Sequence, residues 1–410
     1  MLTSIHLADW KSFGSGEGAR NLLPFAPLTL LVGPNASGKS NVLEALRFLQ
    51  GAALDLPLAD VLRGRWEGQR EVWPGIRGHV VEAARSGTRG FELATRWRLP
   101  SSEVTHSIRV STDGDVSIER ESLYEDGDYL FDTHAPALRG QPGRVDGGGL
   151  RVAFRAAGKG NSPTTTCSAL KSVLVQLEPK ERVAPSVLER STDVRSGLKD
   201  AVFLDIRPSL MRDYRPTKAG QLGTSGENVS PVLFALKEQE PGRFEDVVDW
   251  LSELSAPALE TIEFDKTRLD EVMLFFVEKG GRQVSARSAS DGTLRFLGEL
   301  VALLTCREGS LIVLEEPDVG LHPSRIHLLA ELLEDVASRR RLQILATTHS
   351  PTLLAHLSQE ALGAAIAFGR DADSGWTICS RVSDLPHFSH LRDAPNLEHL
   401  VSTGWLERAL

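Results

Sequence analysis

The 410-residue chain is poor in cysteine: Cys167, Cys306 and Cys379 lie far apart and form no CxxC pair. This spacing excludes the common CxxC-based zinc and redox motifs, and an odd cysteine count is typical of a reducing compartment. No apolar run reaches the roughly 18 residues of a membrane-spanning helix. The N-terminus lacks the charged start and apolar stretch of a signal peptide. We therefore expect a cytoplasmic protein with no membrane partner.

Positive charge is also in short supply, since 46 Lys and Arg against 55 Asp and Glu leave a net charge of −9. Any contact with nucleic acid would therefore depend on local basic clusters. The sequence has a longer cluster, Arg63, Arg65, Arg70 and Arg77, and a shorter one at residues 339–341. Surface arginines are usually only solvated, so these clusters make DNA a possible partner and no more.

Repeats and sustained heptads are absent, which argues against a solenoid or a long coiled coil. The composition, with 41% hydrophobic and 25% charged residues, is that of an ordinary soluble globular protein. The length suggests two or three structural units.

The strongest positive signal is GPNASGKS at residues 33–40. It fits the P-loop pattern, with a strand-like apolar run before it and helical spacing after it. Backbone N–H groups and the dipole at such a helix start favour phosphate. We expect Lys39 to reach the β- and γ-phosphates and Ser40 to ligate Mg²⁺. The predicted nucleotide-binding residues of this segment are Gly33, Pro34, Asn35, Ala36, Ser37, Gly38, Lys39, Ser40 and Asn41.

The second signal is LIVLEEPD at residues 311–318, an apolar strand that ends in two carboxylates. We predict that Glu315 is a metal partner and that Glu316 is the general base that polarises the attacking water. A strand that merely stops in a solvated turn is the alternative, which the P-loop in the same chain makes less attractive.

The third signal is a helix start, where Ser290 is placed to cap a helix that begins near Gly292. Such a start binds anions. Because a nucleotide already has its P-loop, this second start would reach a nucleotide on another subunit. An ordinary capped helix is the alternative interpretation.

The fourth signal is TTHSP at residues 347–351, which follows an apolar strand. His349 would lie at the nucleotide edge of a parallel sheet, where it can hydrogen-bond the γ-phosphate or the attacking water. A structural role for a single histidine is the alternative.

In their chain order, which is the P-loop, the Ser290 helix start, the Glu-Glu strand end and the Thr-His loop, the four motifs resemble those of ABC-type ATPase heads, including the SMC and RecF group. Residues 315–323, EEPDVGLHP, are especially similar to compact AAA-type ATPases related to OLD-family heads. Lys11 and Ser12 resemble the loop after the first strand that touches the nucleotide in SMC-like heads. The resemblance is specific over residues 1–50 and 285–360.

The resemblance implies a homodimer that sandwiches ATP and Mg²⁺. Lys39 and Ser40 of one subunit would bind ATP that Ser290 and Gly292 of the other subunit cover. Asp318 would lie at the dimer seam, and His349 would sense the γ-phosphate.

The sequence departs from transporter ATPases in three ways. SDGT replaces the usual signature, Glu315 replaces an aspartate, and about 250 residues separate the P-loop from Ser290. The acidic Asp291 must point away from phosphate. A glutamine that contacts Mg²⁺ is expected after the first helix, and Gln69 is the candidate.

OLD nucleases continue into a metal-binding nuclease domain. About sixty residues follow the His349 loop, without a strand that ends in clustered acids. We therefore expect no nuclease in this chain, and the resemblance implies a separate, nuclease-like effector in DNA processing, repair or anti-phage defence. The alternatives are an ATPase subunit of a membrane transporter and a binding module with a vestigial site.

The predicted fold is α/β: a P-loop NTPase of the ABC-ATPase head type with a mostly parallel core sheet, an antiparallel β meander and a largely helical insertion. We predict a core at residues 1–51 and 286–410 and an insertion at 52–285. The predicted parts of the insertion are an antiparallel β lobe at about 88–120, a flexible Gly-rich loop at about 125–163 with one strand over 151–155, and an α-rich arm at about 164–285. The helices predicted in this arm cover 166–177, 187–202, 231–239 and 242–254.

Overall fold

The structure is a computed structural model that describes residues 1–16, 21–138, 144–145, 148–178, 181–218, 220–254, 258–386, 388 and 404–410. The helices are α1 Lys39–Ala53, α2 Leu58–Arg63, α3 Pro185–Lys199, α4 Val229–Gln239, α5 Pro241–Leu254, α6 Asp291–Thr305, α7 Ile326–Arg339, α8 Pro351–Ala355, α9 Gln359–Ala364 and α10 Trp405–Ala409. Within the described ranges, none of these helices combines the length and apolar character needed to cross a membrane.

The strands up to residue 168 are β1 Leu2–Ala8, β2 Leu22–Pro24, β3 Leu28–Val32, β4 Arg65–Glu67, β5 Arg70–Trp73, β6 Gly90–Arg98, β7 Glu103–Ser111, β8 Ser117–Glu125, β9 Asp128–Asp132, β10 Arg144–Val145, β11 Gly149–Phe154 and β12 Thr164–Ser168. The later strands are β13 Val202–Leu204, β14 Arg215–Pro216, β15 Leu259–Lys266, β16 Glu271–Glu278, β17 Gln283–Ser285, β18 Leu311–Glu315, β19 Gln343–Thr348, β20 Ile366–Arg370 and β21 Thr377–Arg381.

A six-stranded sheet in the order β13-β18-β19-β3-β20-β21 carries the P-loop. The neighbours from β13 to β20 pair in parallel, and β21 runs antiparallel to β20. In register, Val32 lies opposite Thr348, and Glu315 lies opposite Thr347. Because parallel strands end at one edge, this register brings the P-loop, the acidic strand end and the Thr-His loop together.

The central strands of this sheet, β3, β18 and β19, are largely apolar and buried because both faces are covered. Leu31 and Val313 point into one core cluster, which also contains residues of α1. Leu30 and Ile312 point into a second cluster, which contains residues of α6 and α7. The alternation follows from the two-residue period of a strand.

A second, antiparallel sheet in the order β10-β11-β9-β8-β7-β6-β1-β2, with β12 paired to β11, packs against the other side of α1. Trp10, Phe48 and Phe91 join the two, with ring centroids 4.7 Å apart for Trp10 and Phe91 and 5.2 Å apart for Phe48 and Phe91. Such pairs contribute about 0.5–1.5 kcal/mol each beyond burial. The P-loop helix is therefore held from two sides.

Several predicted elements lie elsewhere in the structure. The strand β1, placed in the core by the sequence, pairs with β6 in the antiparallel sheet, whereas β13, placed in the insertion, extends the parallel sheet. The helix predicted over 166–177 is wrong: β12 pairs with β11, and a short 3-10 helix follows at Val173–Val175.

In the predicted flexible loop, β11 corresponds to the strand expected over 151–155, but the loop also contains β9, which pairs with β11. Its residues Gly140, Gly143 and Gly147 lie outside the described residues. The later half of the insertion has the three predicted helices α3, α4 and α5. It also has a small antiparallel sheet in the order β14-β16-β15, with β17 paired to β16.

Candidate nucleotide site

The P-loop backbone adopts a conformation that depends on its glycines. Gly33 and Gly38 have φ angles of 149° and 110°, and Ala36 has a φ angle of 62°. A Cβ atom on Gly38 would lie 2.3 Å from the Thr377 hydroxyl oxygen, and one on Gly33 would lie 2.4 Å from the Phe368 carbonyl oxygen. Both positions therefore accept only glycine without a shift of the surrounding strands.

Lys39 is buried and folds back over the loop. Its ammonium donates to the carbonyl oxygens of Gly33 at 2.6 Å and Pro34 at 2.9 Å. The positive charge therefore lies within the turn, beside the N-terminus of α1, where an anion is favoured. This arrangement fits a phosphate group.

The predicted metal partners are in direct contact across the edge of the sheet. The Ser40 hydroxyl donates to Oε1 of Glu315 at 2.8 Å. A hydroxyl and a carboxylate are the hard oxygen ligands that Mg²⁺ takes beside phosphate and water. The residues present therefore fit a magnesium–nucleotide complex.

A guanidinium also reaches this carboxylate. Arg77 donates through Nη2 to Oε1 and Oε2 of Glu315 at 3.3 and 3.1 Å, and its Nε lies 3.3 Å from Oε1 of Glu44. Gln69, the candidate from the sequence, instead lies exposed in the turn between β4 and β5. The segment after α2 therefore contacts Glu315, a predicted metal partner, through an arginine.

Lys11 is, with Arg77, one of two cations among the described residues that contact the Glu44 carboxylate. Its ammonium forms an ion pair with Glu44 and donates to the backbone carbonyl of Arg77 at 2.8 Å. The loop after β1, expected to touch the nucleotide, thus stands beside the metal partners.

Ser12 belongs to a chain of side-chain hydrogen bonds that supports the P-loop. Its hydroxyl accepts from Asn41 Nδ2 at 2.7 Å and lies 2.7 Å from the Thr377 hydroxyl. Thr377 in turn donates to the carbonyl oxygen of Ser37 at 2.9 Å. The loop after β1, the P-loop and β21 are therefore linked by hydroxyl groups.

Glu316 has a strained backbone, with a φ angle of 51°. Its N–H donates to the carbonyl oxygen of Thr347 at 3.1 Å and to the Thr347 hydroxyl at 3.2 Å. One of its carboxylate oxygens lies 3.3 Å from Nδ1 of His349. Strain that is held by surrounding bonds is common at functional sites. The two predicted catalytic side chains are therefore neighbours at the nucleotide edge.

Asp318 turns inward from the predicted dimer seam. Its Oδ1 accepts from the Thr348 hydroxyl at 2.9 Å, and the residue is buried. Burial raises the pKa of the Asp318 carboxyl above its usual value, and the bond from Thr348 opposes this shift. The exposed part of this turn is Val319 and Gly320. The backbone turn, and not the carboxylate, is what faces outward.

The Ser290 helix start packs on that same turn. The Ser290 hydroxyl accepts from the N–H of Thr293 at 3.0 Å, as a helix cap does. A Cβ on Gly292 would lie 2.5 Å from the carbonyl oxygen of Gly320. The start of α6 and the turn after β18 therefore form one exposed surface within a subunit.

Arg212 holds this helix start in place. Its Nη1 donates to the carbonyl oxygens of Ala286, Arg287 and Ala289 at 2.8–3.0 Å, and its Nη2 pairs with the Asp291 carboxylate. The negative charge of Asp291, unfavourable near phosphate, is thereby neutralised.

The helix α6 also contacts the acidic strand end. Arg295 donates through Nη2 to the backbone carbonyl of Glu315 at 3.3 Å and through Nε to Glu299 at 3.4 Å. Glu299 is buried and its Oε2 has no hydrogen-bond partner among the described residues. Burial raises the pKa of Glu299 to about 8, although the nearby Arg295 charge opposes the shift.

Sequence reasoning missed the supporting polar residues Glu44, Arg77, Arg212, Arg295, Arg370 and Thr377. Glu44 could have been found from the sequence, because it is an acidic residue within an apolar stretch, one turn after Ser40. In the structure it is buried on the P-loop helix. Arg370 donates to the Ala36 carbonyl at 2.9 Å from a distant strand, a contact with no local signature.

The two basic clusters are largely engaged within the chain. Arg340 donates to the carbonyl oxygens of Leu303 and Cys306 at 2.9 and 2.8 Å and so covers the end of α6. Arg339 pairs with Asp335, and Arg65 pairs with Glu67.

The parallel sheet, the P-loop and the acidic strand end define the ABC-type class of P-loop NTPase heads. The chain belongs to the family described as "AAA domain, putative AbiEii toxin, Type IV TA system", whose model matches residues 28–133 and 191–355. The prediction of an AAA-type domain similar to OLD-family proteins is confirmed.

Among curated proteins, the chain is similar to the OLD nuclease of Thermus scotoductus (strain ATCC 700910 / SA-01), with 25% identity over 341 residues. The match covers 80% of this chain and 56% of the relative, so the chain spans about half the length of that protein.

Among solved structures, it is similar to the SMC head domain from Thermotoga maritima, at 14% identity and a TM-score of 0.46, over 93% of this chain and 98% of that one. It is also similar to the SmcHead bound to the C-winged helix domain of ScpA, at 14% identity and a TM-score of 0.49, over 92% and 96%.

Proposed function

We propose that this P-loop ATPase hydrolyses ATP with Mg²⁺ in a composite site formed by two copies of the chain. The observation that carries the proposal is the contact of Ser40 with Glu315 at 2.8 Å, beside the neighbouring Glu316 and His349. These groups lie at one edge of one sheet together with the P-loop. That combination supports hydrolysis beyond phosphate binding alone.

Each residue has a defined task in this proposal. Lys39 binds the β- and γ-phosphates, and Ser40 and Glu315 hold the metal. When bound, Mg²⁺ neutralises charge on the phosphate oxygens. Glu316 orients the attacking water and accepts its proton, and His349 donates a hydrogen bond at the γ-phosphate.

The second half of the site comes from the partner subunit. Ser290 and Gly292 would cover the nucleotide of the other copy, since Ser290 is exposed and a helix start favours anions. Arg212 supports this role by pairing with Asp291. ATP binding would then close the dimer, hydrolysis would open it, and the output is motion.

We further propose a cytoplasmic role in DNA processing, repair or anti-phage defence with a separate, nuclease-like effector. The similarity to an OLD nuclease supports this. DNA is a weaker part of the proposal, since Arg77, Arg339 and Arg340 are engaged within the chain.

The Glu316→Gln variant tests the proposed chemistry. Loss of the base should lower ATP turnover about 10²- to 10⁴-fold, while the neutral isostere keeps ATP binding. Phosphate release and equilibrium binding of a fluorescent ATP analogue measure the two quantities. Glu308→Gln, at an exposed glutamate away from the sheet edge, should behave as the unchanged protein. Turnover near the unchanged level in Glu316→Gln would remove Glu316 as the base.

A further inference from the structure

The cluster of charges beside Ser40 consists of two acids and two bases. Arg77 bridges Glu315 and Glu44, and Lys11 pairs with Glu44 from the other side. The side chains of Lys11 and Glu44 are 11% and 10% exposed, whereas those of Arg77 and Glu315 are 68% and 42% exposed. The inner pair is therefore fixed, and the outer pair is accessible to solvent and ions.

Within the outer pair, the Arg77 guanidinium occupies the Glu315 carboxylate oxygens that the metal needs. Arg77 hydrogen-bonds both carboxylate oxygens of Glu315, and Ser40 donates to one of them. Mg²⁺ demands close, near-octahedral oxygen contacts. A guanidinium and a magnesium ion cannot both hold the same carboxylate edge in this way.

We propose that Arg77 is a resident cation of the magnesium site, which neutralises Glu315 in the nucleotide-free protein and is displaced when Mg-ATP binds. The inference rests on the proposed function. A solvent-exposed ion pair is weak, so the ion with its phosphate ligands prevails in the exchange. Without Arg77, the two carboxylates Glu315 and Glu44 would have Lys11 as the one remaining cation of this cluster.

The backbone around Arg77 allows its side chain to leave while the segment stays anchored. Gly75 and Gly78 flank it with φ angles of 72° and 77°. The N–H of Ile76 donates to the Leu62 carbonyl at 3.1 Å, and Lys11 holds the Arg77 carbonyl. The displacement is therefore a swing of the guanidinium about a fixed backbone.

Arg77→Gln tests the exchange. Removal of the competing cation should lower the Mg²⁺ concentration that half-saturates binding of a fluorescent ATP analogue by about two- to fivefold. Analogue binding in EDTA should be unchanged. Arg70→Gln, at an exposed arginine on the adjacent strand, is the matched control and should match the unchanged protein. An unchanged or raised Mg²⁺ requirement in Arg77→Gln would overturn the proposal.

A nucleotide-free measurement separates this proposal from the proposed function. MgCl₂ alone should raise the melting temperature of Arg77→Gln more than that of the unchanged protein. In the double variant Arg77→Gln/Glu315→Gln, this larger rise should disappear. Equal responses to MgCl₂ would overturn the resident-cation role even if ATP is hydrolysed. If Lys39→Ala and the unchanged protein bind ATP equally poorly, the proposed function fails, and the displacement by Mg-ATP fails with it.

Discussion

Glu315 and Glu316 are adjacent in the chain, yet they are held by different means. Glu315 continues β18 and is bonded through its side chain to Ser40 and Arg77. Glu316 leaves the strand at a positive φ angle and is bonded through its backbone to Thr347. The Glu315 carboxylate is thus bonded to Ser40 and Arg77, whereas the Glu316 carboxylate contacts His349.

At this scale, Thr377 is the least expected contributor, because its hydroxyl ties the P-loop to Ser12. We predict that Thr377→Val weakens ATP binding by up to about thirtyfold, because the two lost hydrogen bonds shape the loop and contribute about 1 kcal/mol each. Equilibrium binding of a fluorescent ATP analogue measures this.

The matched control is Thr105→Val, a half-buried threonine on β7. It should leave ATP affinity unchanged. Thr377→Val with unaltered affinity and an unaltered melting temperature would mean that the hydroxyl does not support the loop.

Single residues differ in how far the sequence could predict them. Lys39, Ser40 and Glu315 were predictable because each is part of a contiguous pattern with a known chemical task. Arg77 and Arg212 were not, because an arginine in a loop has the same local signature whether it is solvated or bonded.

Among the elements, α6 connects the proposed partner-facing surface with the acidic strand end. Ser290 and Gly292 lie at its start, and Arg295 donates to the Glu315 carbonyl one turn further on. A shift of this helix on dimer closure would therefore act on the backbone that carries Glu315.

Glu299 on this helix predicts a pH-dependent stability. Its pKa is raised from 4.5 to about 8 by burial. The folded state then holds the proton more tightly than the unfolded state, so the free energy of unfolding falls as pH rises through this window. One pKa unit corresponds to about 1.36 kcal/mol.

Glu299→Gln cannot ionise, so the difference between its melting temperature and that of the unchanged protein should increase by several degrees from pH 5.5 to pH 8.5. In a chain of this length, each kcal/mol corresponds to about 1 °C. Thermal unfolding at the two pH values measures this, and Glu308→Gln is the control. A constant difference between Glu299→Gln and the unchanged protein at both pH values would contradict a buried, protonated Glu299.

For the whole molecule, the decisive question is whether the site is completed by a second copy. Lys39→Ala removes the P-loop half, and Ser290→Arg places an exposed, bulky cation at the other half. If the site is shared, each variant alone is inactive, but a mixed dimer has one site made of two intact halves. An equal mixture should recover about a quarter of the intact sites by random pairing.

ATP turnover and mass in solution with Mg-ATP test this mixture. Ser358→Arg is the matched control, because Ser358 also caps an exposed helix start and its loss costs a similar amount. It should stay active by itself. If the mixture contains mixed dimers and stays inactive, the site is not shared between subunits. If Glu316→Gln is monomeric at saturating Mg-ATP, the closed dimer is excluded.

The sequence by itself determined the local chemistry: a P-loop between a strand and a helix, and an apolar strand that ends in two acids. These are contiguous patterns whose backbone and side-chain tasks depend on near neighbours. The tertiary structure alone decided that β1 joins the antiparallel sheet, that β13 joins the parallel one, and that Arg77 and Thr377 support the site. Strand partners and loop contacts arise between residues far apart in the chain, where packing and register, not local periodicity, select among equally compatible segments.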